Sequence, residues 1–191
     1  LAAQHPDIVV HIDTRTRPFM FGDTEFDAAL YAGTAEQVVN WPGTHAVLLM
    51  QEDVVPVCSP ALLQGRGNLT PQELAGMPLL QQSTRPYGWR QWFDAQQADA
   101  PMAMDGPRYE LFSMLAVAAS HGLGVALMPL MLIEAELARG ELVVACARPL
   151  QAERGYYLVT PVQEEDVPVV TLFGAWLARV AADSHVPAMP L

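Results

Sequence analysis

The chain has 191 residues, of which 51% are hydrophobic, and this is enough for one large domain or two small lobes with a substantial core. Its 21 acidic and 10 basic side chains give a formal net charge of -11, which argues against direct contact with nucleic-acid phosphates or an anionic membrane. Gly124 and Pro129 interrupt the apolar stretch 123–133, so no apolar run reaches the roughly 18 residues that span a bilayer. We expect a soluble protein.

The two cysteines, Cys58 and Cys146, lie beside segments rich in Val and Ala, which predicts buried free thiols. A disulfide between them is the alternative, but nothing else in the sequence suggests a secreted scaffold held by disulfides. The first residues carry neither the basic nor the apolar region of a secretory signal. These features favour a cytoplasmic location.

Strands dominate the predicted first third of the chain. The β-branched segment 8–12 precedes a polar, turn-prone stretch, which predicts a strand that runs into a loop. A second strand is predicted for residues 26–31, ahead of Gly33. A third is predicted in the apolar run 46–58, which the polar residues 51–53 interrupt.

The strongest local signal is a short predicted helix that ends at Gly76. Thr70 is placed to cap this helix, and Glu73 completes a capping box. Leu69 and Leu74 have the spacing of a hydrophobic staple. Local sequence alone therefore predicts both ends of this element.

Helices and strands alternate through the rest of the chain. Apolar residues at helical spacing predict helices over 89–97, 110–120, 129–137 and 168–182. Short apolar runs predict strands over 78–82, 125–128, 141–145 and 156–160. This alternation predicts a parallel sheet that is covered by helices on both faces.

No pattern typical of a catalytic site occurs. The histidines are scattered without zinc-motif spacing, and neither Ser59 nor Ser83 lies in a nucleophile-elbow sequence. Gly122 and Gly124 precede a strand, whereas a dinucleotide loop opens a helix, so we interpret them as a helix end and a tight turn. The sequence therefore predicts no enzyme activity, no metal site and no cofactor.

Polar clusters follow two of the predicted strands, at the place where open α/β sheets bind their ligands. Residues 14–16 (Thr-Arg-Thr) follow the first strand, and residues 83–85 (Ser-Thr-Arg) follow the strand 78–82. Each cluster alone is equally compatible with an ordinary turn. Together they favour a ligand-binding cleft.

Several short segments occur in a characteristic order along nearly the whole chain. They are FDAALYAG at 26–33, NWPGTHAVLL at 40–49, VPVCSPALL at 55–63, LTPQELAGMPLLQ at 69–81, WRQWF at 89–93, AASHGLGVALMP at 118–129, ELARGELV at 136–143, YYLVTP at 156–161 and FGAWLARV at 173–180. In this order they resemble the effector-binding domain of LysR-type transcriptional regulators, in the subgroup that includes the glycine-cleavage and β-lactamase regulators. No single segment is diagnostic, and the resemblance depends on their order.

The resemblance implies an α/β fold of two Rossmann-like lobes joined by crossover strands, similar to type II periplasmic binding proteins. Lobe I would comprise residues 1–79 and 161–191, and lobe II would comprise residues 80–160. The family's N-terminal winged helix-turn-helix is not in this chain. The first strand of lobe I and most of its first helix are also expected to be missing, so the predicted site is incomplete.

The resemblance also implies which residues line the effector site between the lobes. They are Thr14, Arg15, Thr16, Gln82, Ser83, Thr84, Arg85, Glu110, Leu111, Phe112, Ser113, Met128, Pro129 and Tyr157. Arg15 and Arg85 are the candidates for binding a carboxylate or phosphate, because a guanidinium presents a planar fork of donors. Leu111 and Phe112 either make the pocket more apolar or belong to the core.

By this resemblance, the chain senses a small-molecule effector and thereby controls DNA binding and transcription by the full-length protein. It would form a homodimer or homotetramer, contact DNA only through the missing N-terminal domain, and not bind a membrane. One alternative is a periplasmic solute-binding protein of the same fold. Another is a transferase or dehydratase on the same scaffold, which would require a catalytic group that the sequence does not show.

Overall fold

The computed structural model describes residues 1, 3–15, 19–162 and 167–183, which form two compact units. Among the described residues, the first unit contains Leu1–Glu52 and the segment from Glu153 to Asp183, and the second contains Asp53–Ala152. The elements in chain order are β1 (Ala29–Thr34), α1 (Ala35–Val39), β2 (Thr44–Cys58), α2 (Pro60–Leu63), α3 (Pro71–Ala75), β3 (Leu79–Gln82), α4 (Gly88–Ala95), β4 (Arg108–Tyr109), α5 (Phe112–Ser120), β5 (Val125–Pro129), α6 (Glu134–Ala138), β6 (Val143–Val144), β7 (Leu150–Pro161) and α7 (Pro168–Asp183). Short 3-10 helices occupy Phe21–Asp23 and Leu130–Leu132.

The sheet of the second unit is mixed. Strand β3 pairs parallel with both β4 and β5, as the alternation of helices and strands predicts. The end of β2 pairs antiparallel with β5 and with β6, which the sequence did not predict. The sheet is therefore parallel only in the part that carries β3, β4 and β5.

Helices cover both faces of this sheet, and the strand residues alternate between two cores. Leu79, Val125 and Leu127 belong to one buried cluster, which includes the three aromatic residues of α4. Leu80, Ala126 and Met128 belong to the other, which includes the buried face of α5. Because neighbouring residues of a strand point to opposite faces, a strand covered on both sides is apolar throughout.

The predicted capping box and staple are present at α3. The Thr70 hydroxyl accepts a hydrogen bond from the backbone N–H of Glu73, and the Glu73 carboxylate accepts one from the backbone N–H of Thr70 at 2.8 Å. Leu69 and Leu74 are both buried. A second capping box, between Thr34 and Gln37, begins α1, a helix that the sequence analysis missed.

The first unit is built on β1, β7 and the beginning of β2. Strand β1 pairs antiparallel with β7, and β7 neighbours β2. A buried cluster of Phe21, Val38 and Val159 forms the core, with half-buried aromatic residues packed around it. Helix α7 lies against β7, where a Cβ on Gly174 would stand 3.0 Å from Leu158.

Three sequence predictions need correction. Residues 8–12 do not form a strand, because no described strand offers backbone hydrogen bonds to them. Residues 51–53 do not interrupt β2, since Glu52 is buried and its carboxylate accepts a hydrogen bond from the Tyr156 hydroxyl at 3.0 Å. The helix predicted over 129–137 is a 3-10 turn followed by the short helix α6.

The two compact units divide the chain within β2 and β7, earlier than the predicted lobe boundaries after residues 79 and 160. Val54, Leu63 and Leu74 explain the first difference, because they are buried in the core of the second unit.

Both cysteines are buried free thiols, as predicted, and burial raises the pKa of Cys58 to about 11. None of the described helices has the length and apolarity needed to cross a bilayer.

Candidate ligand site at the carboxyl ends of the parallel strands

The carboxyl ends of β3, β4 and β5 lie at the same edge of the second unit's sheet, because these strands are parallel. The predicted residues that follow them are therefore brought together from distant parts of the chain. They are Gln82–Arg85 after β3, Glu110–Ser113 after β4, and Met128 and Pro129 at the end of β5. This edge is where open α/β sheets bind ligands.

Gln82 connects two of these segments through its side-chain amide. Its Oε1 accepts hydrogen bonds from the backbone N–H and the hydroxyl of Thr84. Its Nε2 donates to the carbonyl oxygen of Glu110 at 2.9 Å. The side chain is buried, so these bonds fix the turn after β3 against the turn after β4.

Arg85 lies against the first residue of α5. Its Nη1 donates to the Thr84 hydroxyl at 2.8 Å, and the guanidinium carbon lies 5.6 Å from the centre of the Phe112 ring. That distance is within the range of a cation–π interaction. Phe112 is half-buried and packs against the core, so the ring that contacts the Arg85 guanidinium is held in place.

The start of α5 adds hydrogen-bond donors to this edge. Leu111 is its N-cap and has no side-chain oxygen to accept hydrogen bonds from the first-turn amides. Glu110 and Ser113 are exposed, and Ser83 is exposed on the neighbouring turn, where its N–H donates to the Tyr109 carbonyl at 2.8 Å. A helix N-terminus beside an arginine and two hydroxyls suits a negatively charged group.

Two other predicted residues of the second unit have buried side chains. Met128 is fully buried in the core cluster of α5, and Pro129 is buried at the end of β5, opposite Val54. Leu111, in contrast, is exposed and is not part of the core. The structure thus separates the predicted list into accessible groups and the residues that support them.

The remaining predicted residues belong to the first unit. Thr14 and Arg15 are exposed; the Arg15 guanidinium pairs with Asp13 at 3.3 Å and lies 4.9 Å from the centre of the Phe26 ring. Tyr157 is half-buried against the core of this unit. Thr16 lies outside the described residues. Their role as effector contacts stays a prediction.

Two surface depressions lie apart from the cluster at the sheet edge. One, of about 500 Å³, lies in the first unit beside Phe21 and Pro42. The other, of about 570 Å³, lies in the second unit beside Ser59 and His121. Neither includes a residue of the predicted site, and the concentration of donors makes the sheet edge the better candidate. The described residues contain no group of three His, Cys, Asp or Glu that could hold a metal ion.

Strand β4, which brings Glu110 to the site, was not predicted from the sequence. This strand has only two residues, Arg108 and Tyr109, and so it shows no periodic pattern. The available signal was the turn-forming sequence Asp105-Gly106-Pro107 before it. Gly106 has a φ of +114° there, and a Cβ at this position would clash with the backbone of Leu79.

Two α/β units connected by the long strands β2 and β7 define the two-lobed class of folds that resemble periplasmic binding proteins. The model of the LysR substrate binding domain matches residues 1–182. The chain belongs to this family, which confirms the resemblance seen in the sequence.

Curated relatives agree with this assignment. The chain is 31% identical to the glycine cleavage system transcriptional activator of Escherichia coli K12 over 95% of its own length and 58% of the relative. It is 30% identical to the transcriptional activator AmpR of Rhodobacter capsulatus over 94% of its own length and 59% of the relative. The chain thus spans less than two thirds of these relatives. Both are transcriptional regulators, so the alternative of a periplasmic solute-binding protein is not favoured.

Solved structures show the same fold. The effector domain of AmpR from Pseudomonas aeruginosa superposes with a TM-score of 0.81 at 24% identity, covering 95% of this chain and 85% of that one. The AmpR effector binding domain from Citrobacter freundii also gives 0.81, at 22% identity, with 96% and 88% covered. The two-lobed fold implied by the sequence is therefore confirmed.

Proposed function

We propose that this chain is the sensing domain of a cytoplasmic LysR-type transcriptional regulator and that it binds a small anionic effector at the carboxyl ends of β3, β4 and β5. The observation that carries the proposal is the convergence of Arg85, Ser83, Ser113 and the start of α5 at one edge of the sheet. These groups are hydrogen-bond donors, and a guanidinium binds carboxylate or phosphate through two parallel bonds.

The effector would act by binding one arrangement of the domain more tightly than another. A ligand shifts such an equilibrium only by its difference in affinity for the two states. The chain's net charge of -11 is unfavourable for contact with DNA phosphates, so another part of the full-length regulator would contact DNA. Thr14, Arg15, Thr16 and Tyr157 are proposed as further effector contacts.

We also propose that the domain associates with a second copy of itself. Met114 and Val117 lie three residues apart on α5, and their side chains are 52% and 58% exposed. They therefore form an apolar stripe on the outward face of this helix, next to the edge strand β4. Replacing both residues with Glu is expected to yield monomers in sedimentation velocity. A control double change to Gln, at the exposed Glu134 of α6 and at Arg139, the C-cap of this helix, should leave the assembly intact.

The effector proposal is tested by thermal denaturation of the chain with a panel of small carboxylates and phosphate esters. Any bound anion raises the melting temperature by mass action. Arg85→Gln should weaken the binding of the most effective compound at least tenfold, because a hydrogen bond from a charged group is lost. Arg90→Gln, on the exposed side of α4, is the matched control and retains the response. An equal response in both variants would contradict the assignment of Arg85.

A further inference from the structure

We propose that Gln82 is a positioning residue, which holds the two walls of the candidate ligand site in register without touching the ligand. The inference rests on the proposed function, since it assigns a role within that same site. Its structural content depends only on contacts inside the second unit. It also departs from the expectation that Gln82 is an effector contact.

The hydrogen-bonding capacity of Gln82 is directed inward. Its side-chain oxygen accepts from both the N–H and the hydroxyl of Thr84, which uses the two acceptor positions of an amide oxygen. One N–H of the amide nitrogen donates to Glu110. Gln82 is only 7% exposed, so turning its amide away from these partners would break three hydrogen bonds of a buried group.

The partners also fix the orientation of the amide. Reversing its oxygen and nitrogen would set the NH2 group against the N–H of Thr84 and the oxygen against the carbonyl of Glu110. Both contacts would be repulsive, so only one of the two orientations is compatible with the surroundings. Gln82 therefore acts as a directional bridge between the turn after β3 and the turn before α5.

The bridge continues to Arg85 through Thr84. The Thr84 hydroxyl donates its hydrogen to Gln82 at 2.9 Å, which leaves its oxygen lone pairs to accept from Arg85 Nη1 at 2.8 Å. The guanidinium is thus held above Phe112, on the opposite wall. A single buried amide determines where the charged group and the helix start stand relative to each other.

The neighbouring residue Gln81 provides a matched control. It is also a buried glutamine of β3, 2% exposed, and its Nε2 donates to the carbonyl oxygens of Asp105 at 2.7 Å and Ala103 at 3.2 Å. These bonds hold the loop before β4 and do not involve Thr84 or Arg85. Replacing either glutamine with Met removes a buried amide of similar size from the same strand.

The test compares Gln82→Met and Gln81→Met in the 191-residue chain by amide hydrogen exchange measured with NMR. Loss of one hydrogen bond corresponds to about a tenfold change in an equilibrium. We expect the Thr84 amide to exchange about tenfold faster in Gln82→Met and at the wild-type rate in Gln81→Met. Equal Thr84 exchange in the two variants would overturn the proposal.

A gentler variant covers the case in which Gln82→Met does not fold. Thr84→Val changes an exposed residue and removes only the hydroxyl that links Gln82 to Arg85. The Arg85 guanidinium is then expected to gain mobility in 15N relaxation, while the amides of residues 110–113 stay unchanged. An Arg85 side chain as rigid as in the wild type would refute the link through Thr84.

Titration with inorganic phosphate separates this inference from the proposed function. If phosphate shifts the resonances of residues 83–85 and 112–114, Gln82→Met should weaken binding about tenfold and Gln81→Met should not. If phosphate shifts no resonance of the wild type, the proposal that this site binds a phosphate-like anion is refuted. The hydrogen-exchange experiment then still decides the role of Gln82. Wild-type phosphate affinity in Gln82→Met would overturn the positioning role.

Discussion

The helices of the two units bury their apolar faces to very different extents. Helix α4 of the second unit places Trp89, Trp92 and Phe93 almost completely inside the core. Helix α7 of the first unit has an equally regular apolar stripe, yet none of its residues is fully buried. Helical periodicity therefore identifies the face that packs, but the depth of packing depends on what the rest of the unit supplies.

The same contrast appears in the aromatic residues. In α4, the three rings contact one another within a closed core and both indole N–H groups donate to backbone carbonyls, that of Trp92 to Arg148 and that of Trp89 to Leu80. In α7, Phe173 and Trp176 stack at 6.1 Å and remain half-buried. We therefore expect the second unit to carry more of the stability per residue.

Of these substitutions, Trp92→Ala is expected to reduce stability most. Trp92 has no exposed surface, and the variant also loses its hydrogen bond to Arg148. The free energy of unfolding should fall by roughly 3–5 kcal/mol. Trp176→Ala, in α7, should lower the free energy of unfolding by less than about half as much, because Trp176 is only half-buried. Urea denaturation followed by circular dichroism measures both. Equal losses would break the contrast between the units.

The next effect concerns close packing of the backbone in the second unit. A Cβ on Gly124 would stand 2.5 Å from the carbonyl oxygen of Pro78 and 2.9 Å from Leu80, so Gly124→Ala must push β5 away from β3. The expected destabilisation is about 1–3 kcal/mol.

The control is Gly22→Ala in the first unit, where a Cβ would meet no atom within 4 Å. It should change the free energy of unfolding by less than about 0.5 kcal/mol. Thermal denaturation compares the two variants, and a large loss of stability in Gly22→Ala would show that the space around Gly22 is filled.

Smaller effects are expected at the two capping boxes, one in each unit. Thr34→Ala and Thr70→Ala each remove a hydroxyl that accepts a hydrogen bond from the third residue of its helix. Each should lower the free energy of unfolding by about 1 kcal/mol. Serine at either position serves as the control and should retain most of the stability. Similar losses in both units would show that capping is insensitive to the surrounding core.

The smallest effect is a difference in pH dependence between the two boxes. Hydrogen bonds from the backbone N–H and the hydroxyl of Thr70 lower the pKa of Glu73. A pKa that is lower in the folded state stabilises the protein above the ordinary glutamate value, and this stabilisation is lost as pH falls through the folded pKa. Gln37 fills the same position in the other box and does not titrate.

Melting temperatures across the acidic range test this difference. The advantage of the wild type over Glu73→Gln should be present at neutral pH and disappear on acidification. Gln37→Glu should introduce the same dependence in the first unit. A constant gap between the wild type and Glu73→Gln would show that the carboxylate makes no specific contribution.

Much of the local structure could be predicted from sequence because its causes are local. The box at Thr70, the apolar stripe of α7 and the buried strand β5 each depend on residues only a few positions apart. The local pattern was misleading at residues 8–12, where β-branched residues indicate a strand that has no described partner. It was also wrong at Glu52, where a buried hydrogen bond to Tyr156 keeps a charged residue inside β2.

The sequence determined the family, the two-lobed α/β fold and the regions where polar side chains follow strands. The tertiary structure decided which of those side chains meet. Gln82 and Glu110 are 28 residues apart and are joined only because β3 and β4 pair in parallel. No local pattern encodes that hydrogen bond, since it depends on the register of a whole sheet and on the burial of one amide. The same packing of the second unit brings Arg85 against Phe112 and buries Met128 in the core.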